Sequence, residues 1–296
     1  MNDKAENGRM KIATSLSMLF DREYRIDACE MLKHLHDAGF AYIDMDFWDW
    51  SYDKRSPFIR ADWADWVKRI RDCGDELGVT FHQSHAVDID PFHHPTNREW
   101  NDELIRRCIV GSGMMGIDWI VFHCAYAMEA GESEETKIKR NREYITPLLE
   151  LAAEHGVGIA LENTVKREND LPYAVCAEEL CHLVDSFTAD NIGVCWDTGH
   201  AHCTGLDQYA EITRLGRRLK ALHVHDNDGT GDKHTAPFNG TIDWKAFMRG
   251  LRDAEYSGIL TFEADTIVRN APDAASKDAA CRMMYLIGKH LVEMDA

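Results

Sequence analysis

Among its nine cysteines the chain has no CxxC pair, and it has no apolar run approaching the ~20 residues a membrane-spanning helix needs. The first absence argues against a thiolate zinc site. An odd number of scattered cysteines in a chain this long reads as reduced, mostly buried thiols and hence as a cytoplasmic protein. The second absence, with a polar start (MNDKAENGRMK) lacking an apolar core, gives no expectation of a membrane role or a secretory signal. Basic residues are scarce: 33 Lys and Arg stand against 51 Asp and Glu, a formal charge of −18. A surface so negative repels phosphate backbones and anionic lipid, so no nucleic-acid partner is expected. There is no GxGxxG or Walker-type loop to cradle a phosphate. No Gly/Ser/Pro-rich linker divides the chain, so residues 1–296 read as one domain, with 1–9 expected to be flexible.

What is present is a repeated pattern. Short apolar runs alternate with helix-like stretches, and five of the runs end on a side chain that can bind a metal. They are IDWIVFH at His123, VGIALE at Glu162, NIGVCWD at Asp197, LKALHVH at His223 and His225, and GILTFE at Glu263. Strands are expected near 10–15, 40–47, 79–85, 118–124, 157–163, 191–197, 219–225 and 258–263. Helices are expected near 27–38, 61–77, 97–115, 136–155, 176–187, 207–216, 243–253 and 272–294. Continuous apolar strands are those of a parallel sheet buried on both faces, and eight βα units at this length favour a closed (β/α)8 barrel of the TIM type, an α/β fold, over an open sheet.

In such a barrel the C-terminal strand ends share one cleft. That frame gathers His85, His123, Glu162, Asp197, His200, His223, His225 and Glu263. A single histidine or glutamate at a strand end is usually a loop residue, but ionisable tips on five buried runs in succession are not easily left unpaired. The mixed oxygen and nitrogen donors suit a divalent ion, with Mn2+ first and Mg2+, Co2+ or Zn2+ as alternatives.

The segments ALEN (160–163), CWDTGHAH (195–202), HVHDNDG (223–229), DKH (232–234), NGTIDW (239–244) and LTFEAD (260–265) resemble the xylose-isomerase-like TIM barrel superfamily, in order and over essentially the whole chain. That superfamily contains sugar and sugar-phosphate isomerases and epimerases and the zinc-dependent abasic-site endonucleases. The resemblance implies a metal quartet of Glu162, Asp197, His223 and Glu263, with Glu162 and Glu263 doubling as the catalytic acid/base pair. It favours His223 over His225 as the ligand. It implies a substrate contact at His200. It also implies a further layer of His85, His123, His200, Asp232 and His234, which either holds substrate or completes a larger metal cluster.

The implied chemistry is isomerisation or epimerisation of a sugar or keto-sugar: proton abstraction α to a carbonyl through a metal-stabilised enediolate. Alternatives on the same residues are a keto-glycoside lyase or a dehydratase, and, against the negative charge, an abasic-site phosphodiesterase. The acidic DNDGTGDKH loop favours a neutral sugar over a phosphorylated one, with Lys166, Arg167 and Arg269 as the available anion contacts. The stretch DFWDWSY (46–52) is expected as a loop after the second strand, where Phe47, Trp48 and Trp50 either wall the cleft against a sugar ring or pack as a loop or subunit contact. Trp48 is taken as the substrate-facing member. His93 and His94 read as a solvated loop pair, and Trp63 and Trp66 as helix packing. A homo-oligomer is compatible with all of this.

Overall fold

Eight parallel strands form one ring in a computed structural model that describes residues 10–20, 27–88, 97–124, 131–165 and 172–294. The strands are β1 (Lys11–Ser15), β2 (Tyr42–Asp46), β3 (Thr80–His85), β4 (Trp119–His123), β5 (Gly158–Glu162), β6 (Ile192–Asp197), β7 (Leu219–His223) and β8 (Ile259–Phe262). Each pairs with its sequence neighbours, β1 pairs with β8, and a bridge between Val224 and Phe262 brings β7 and β8 together to complete the circuit. The helices are α1 (Ala28–Ala38), α2 (Phe47–Tyr52), α3 (Trp63–Leu77), α4 (Arg98–Met115), α5 (Glu134–Glu154), α6 (Ala177–Asp185), α7 (Thr198–Cys203), α8 (Gln208–Leu215), α9 (Trp244–Asp253), α10 (Thr266–Arg269) and α11 (Ala274–Glu293). The fold is a (β/α)8 TIM barrel, as the alternation predicts. Among the described residues no helix is long and apolar enough to cross a membrane.

The barrel interior is narrow because its lining is small. Val121, Ala160, Cys195 and Ala221, from four adjacent strands, form a buried apolar layer inside the ring. Side chains two residues further along a strand share its face, so His123, Glu162, Asp197 and His223 sit one layer above this floor. The larger apolar cluster, including Leu32, Ile70, Ile109, Leu180 and Phe247, fills the space between strands and helices.

Two expectations are corrected. The DFWDWSY stretch is not a loop, because Phe47–Tyr52 is helical with the Asp46 carboxylate accepting from the Trp48 N–H at its start. Phe47 and Trp50 are buried on its inner side, Phe47 against Phe58 and Trp50 against Phe20 and Trp66, so only Trp48 remains for the cleft. The second correction concerns the thiols. Cys29 of α1 and Cys73 of α3 form a disulfide across 44 residues, so the reading of all cysteines as reduced does not hold for this pair, and it lends no support to a cytoplasmic location. Among the other cysteines, Cys108, Cys124, Cys195 and Cys281 are buried free thiols.

Candidate active site and metal centre

One donor atom from each of Glu162, Asp197, His223 and Glu263 lies within 4.8 Å of all the others. Glu162 and His223 have side chains only 1% exposed, Asp197 is fully buried, and Glu263 is 21% exposed. Glu162 is the hub. Its Oε1 is 2.7 Å from His223 Nδ1, and its Oε2 is 2.9 Å from His123 Nε2 and 3.3 Å from His85 Nε2. Among the described residues the ion-pair partners of these three carboxylates are imidazoles, with no lysine or arginine. Such a donor set fits a divalent cation.

The histidines fall into overlapping donor groups. His85 and His223 are stacked at 10°, with centroids 5.2 Å apart, whereas His85 and His123 meet at 83°. His223 belongs to the quartet, His85 and His123 share Glu162 in a second donor group, and His85 also comes together with His223 and Glu263. Asp232 links a third: its Oδ2 lies 3.4 Å from His200 Nε2 and 3.2 Å from His234 Nε2.

The DTGH run shows why these residues occur together. Asp197 Oδ1 accepts from the His200 N–H at 2.6 Å, starting α7. Thr198 Oγ1 donates to the His225 carbonyl at 2.6 Å, latching β6 to the segment after β7. Gly199 leaves room for the His225 ring, since an added Cβ would lie 1.9 Å from its Cε1. His200 donates from Nδ1 to the Asn163 carbonyl at 2.8 Å, which aims Nε2 toward Asp232. Asn163 in turn accepts from the Asp197 N–H and donates to its carbonyl, holding β5 to β6. His225 is fully buried. Its Nε2 is 2.9 Å from Asp197 Oδ2, and its ring stacks on His234 at 4.1 Å and 7°. It supports Asp197 and stands outside the quartet.

Charge in the cluster is balanced by protons. Burial opposes ionisation of Glu162, but His223 and His123 outweigh it and hold the carboxyl well below its usual range. Burial likewise disfavours a charged His223, yet the surrounding Cys195, Glu263 and Glu162 raise it well above the ordinary imidazole value. The carboxylates supply that field, because burial keeps Cys195 a neutral thiol. His200 loses to burial and gains more from Asp197 and Asp232, rising to about 9. His123 is raised against its burial by Asp88 and Glu162, and His234 by Asp232 and Glu263.

A cavity of about 410 Å3 opens above the cluster. Glu162, Glu263, His85, His123, His200, Asp232, His234 and Trp48 all line it; Asp197 and His223 lie beneath. Trp48 meets His85 and His123 edge-on, with centroids 5.4 and 5.7 Å away. Glu162, Asp197, His223, Glu263, His85, His123, His200, Asp232, His234 and Trp48 are thus brought to one end of the barrel. Arg269 also lines the wall, paired with Asp265, and Lys233 is paired with Asp228. His93, His94, Lys166 and Arg167 lie outside the described residues. Sequence reasoning missed Asp46 and Asp88, which line the cavity. Burial and the nearby Asp49, Asp44 and Glu263 push Asp46 well above the carboxylate range. The signal for Asp46 was there, in a carboxylate alternating with apolar residues in the buried strand YIDMD.

The eight parallel strands make a TIM barrel with a carboxylate–imidazole cluster, able to hold a metal ion, at their C-terminal ends. A family model described as xylose isomerase-like TIM barrel matches residues 32–284, and the chain belongs to that family. An uncharacterised protein of Sinorhizobium fredii is 26% identical over 254 residues, covering 77% of this chain and 78% of that one. The fructoselysine 3-epimerase of Escherichia coli O157:H7 is 26% identical over 149 residues, covering 50% of this chain and 53% of the epimerase. Among solved structures, a D-tagatose 3-epimerase-like protein superposes with a TM-score of 0.73 at 18% identity, covering 97% of this chain and all of that one, which is a likeness of fold.

Proposed function

We propose that the protein is a divalent-metal-dependent sugar isomerase or epimerase that moves a proton at a carbon α to a carbonyl. The observation that carries this reading is the pair Glu162 and Glu263: both open onto the cavity, from β5 and β8, with donor oxygens within 4.8 Å of each other. One carboxylate takes the proton, and the other, or the same one, returns it. Glu162, Asp197, His223 and Glu263 would hold the ion, which when bound supplies Lewis-acid stabilisation of the negative charge that develops on oxygen. The cavity falls in the range of small-ligand sites, ~300–1,000 Å3. Trp48 offers a sugar ring an apolar edge, and His200 and Asp232, which also line the cavity, offer hydroxyl partners. The names of the epimerases it resembles support this substrate class. Lys233 and Arg269 are both engaged by carboxylates, which favours a neutral sugar over a phosphorylated one.

The test is incubation with a panel of free sugars and keto-sugars in D2O with added Mn2+. Deuterium entering at a carbon α to a carbonyl is the expected result. Release of an aglycone would move the reading to a lyase, and nicking of abasic DNA with no exchange on any sugar would overturn it.

Metal uptake is expected to release protons. A ligating imidazole must be neutral, and His223 is held protonated when its site carries no ion, because its pKa is raised. Below that raised value, Mn2+ affinity should climb about tenfold per pH unit for each proton expelled, and level off above it. Titration calorimetry at pH 7 in buffers of different ionisation enthalpy counts the protons; a count of zero would mean that His223 is already neutral.

A further inference from the structure

Beneath the cluster lies a buried carboxylate that the reaction above does not use. Asp44, on β2, is 1% exposed. Its Oδ2 accepts from Gln83 Nε2 at 2.7 Å and lies 3.4 Å from His223 Nε2. Its Oδ1 has no hydrogen-bond partner among the described residues. Gln83 Nε2 also reaches the carbonyl of Leu222, the residue before His223, at 3.3 Å. A bulge places this brace. The β2–β3 register steps from Ile43 opposite Phe81 to Asp44 opposite Gln83, so His82 is the unpaired extra residue and Gln83 is re-aimed at Asp44.

A carboxylate held this deep with one oxygen unpaired is costly, and an apolar residue of similar size would serve packing better. The geometry relative to His223 accounts for it. His223 turns Nδ1 toward Glu162, at 2.7 Å, and Glu263, at 3.5 Å, while its other nitrogen faces Asp44. A metal-ligating imidazole needs its second nitrogen to carry a proton, and a carboxylate there fixes both tautomer and ring orientation.

We propose that Asp44, strapped by Gln83, is a positioning residue that holds His223 by Nε2 so that Nδ1 is presented to a divalent cation. This rests on the metal-dependent reading above. It adds to that reading a residue with no contact to substrate: Asp44 does not line the cavity.

The test compares Asp44→Asn and Asp44→Leu with the wild type, by calorimetric Mn2+ and Co2+ titration, the visible spectrum of bound Co2+, and the melting temperature of the metal-stripped protein. Asp44→Leu is expected to weaken both ions by about 10–100-fold, the scale for losing such a partner, and to shift the Co2+ bands. Asp44→Asn, which keeps an acceptor for Nε2, should be rescued in part. The melting temperature without metal should fall in Asp44→Leu, where Gln83 Nε2 and His223 Nε2 lose their shared acceptor, and less in Asp44→Asn. If Asp44→Leu does not fold, Asp44→Asn carries the test alone, with weakened binding still expected. A fall in melting temperature with unchanged metal affinity would make Asp44 a purely structural residue and overturn the proposal. A wild type that binds neither ion would overturn the metal-dependent reading and this proposal together, whereas wild-type binding with unaffected variants overturns only the latter.

Discussion

Glu162→Gln is expected to lower kcat by about 10^3-fold or more and to cost the protein its metal. Losing a positioned acid or base alone removes about 10^2–10^4-fold, but Glu162 is also the hub of the donor set. Its two oxygens serve different groups, Oε1 facing His223 at 2.7 Å and Oε2 facing His123 at 2.9 Å and His85 at 3.3 Å. An amide keeps one acceptor and turns an NH2 toward the other side, so one group must meet a donor where it had a carboxylate oxygen. Glu263→Gln should behave differently. Glu263 is partly open to the cavity, and its nearest imidazole, His223, is 3.5 Å away. Its amide should retain more metal while losing turnover to a similar extent, separating the proton-transfer role from the ligand role. Metal content, kcat and solvent-deuterium incorporation, measured on both variants, decide the matter. Near-normal kcat in either would remove that glutamate from the acid/base pair. Equal metal loss in both would mean that the quartet binds as one unit and that the hub argument is wrong.

The barrel was legible because its signals are local. Apolar runs such as VGIALE and NIGVCWD need no long-range knowledge to read as buried strands, and β5 and β6 fall within a residue of the expected bounds at each end. The site was legible for a related reason: the fold puts all strand ends in one place, so a polar tip on a buried run is already a cleft residue. What stayed hidden depends on contacts between distant segments. Asp44 reads as one more strand residue until the bulge opposite it brings Gln83 into reach. Cys29 and Cys73 have no telling spacing, and only the packing of α1 on α3 joins them. The helix at Phe47–Tyr52 was masked by its aromatic content. Its cap, Asp46, looked like the end of a strand, and burial of Phe47 and Trp50 outweighs weak propensity.

Gly199→Ala is expected to be a strongly damaging change for a single methyl group at this end of the barrel. Gly199 is in α7, outside the residues with positive φ, so its backbone does not require glycine, and alanine would improve helix propensity by up to about 1 kcal/mol. Space decides the sign. The new Cβ would sit 1.9 Å from His225 Cε1 and 2.4 Å from its Nδ1. The ring has nowhere to retreat. It is fully buried, held at 2.9 Å by Asp197 Oδ2 on one edge and stacked on His234 at 4.1 Å. Nor does the helix yield readily, because the Gly199 carbonyl accepts from Asn227 Nδ2 at 3.0 Å and Thr198 is bonded to His225. Overpacking of this kind costs about 1–3 kcal/mol, and at ~2–4 °C per kcal/mol the melting temperature should fall by roughly 2–12 °C. Displacing His225 also withdraws the support from Asp197, so Mn2+ affinity should drop with stability. The paired change Gly199→Ala with His225→Asn removes the ring that causes the overlap. It should recover most of the melting temperature, a coupling of about 0.5–3 kcal/mol, but less of the metal affinity, since Asn cannot reproduce the imidazole contact. A single variant that melts within a degree of the wild type would show that the ring and helix are not locked together. The DTGH glycine would then need another explanation.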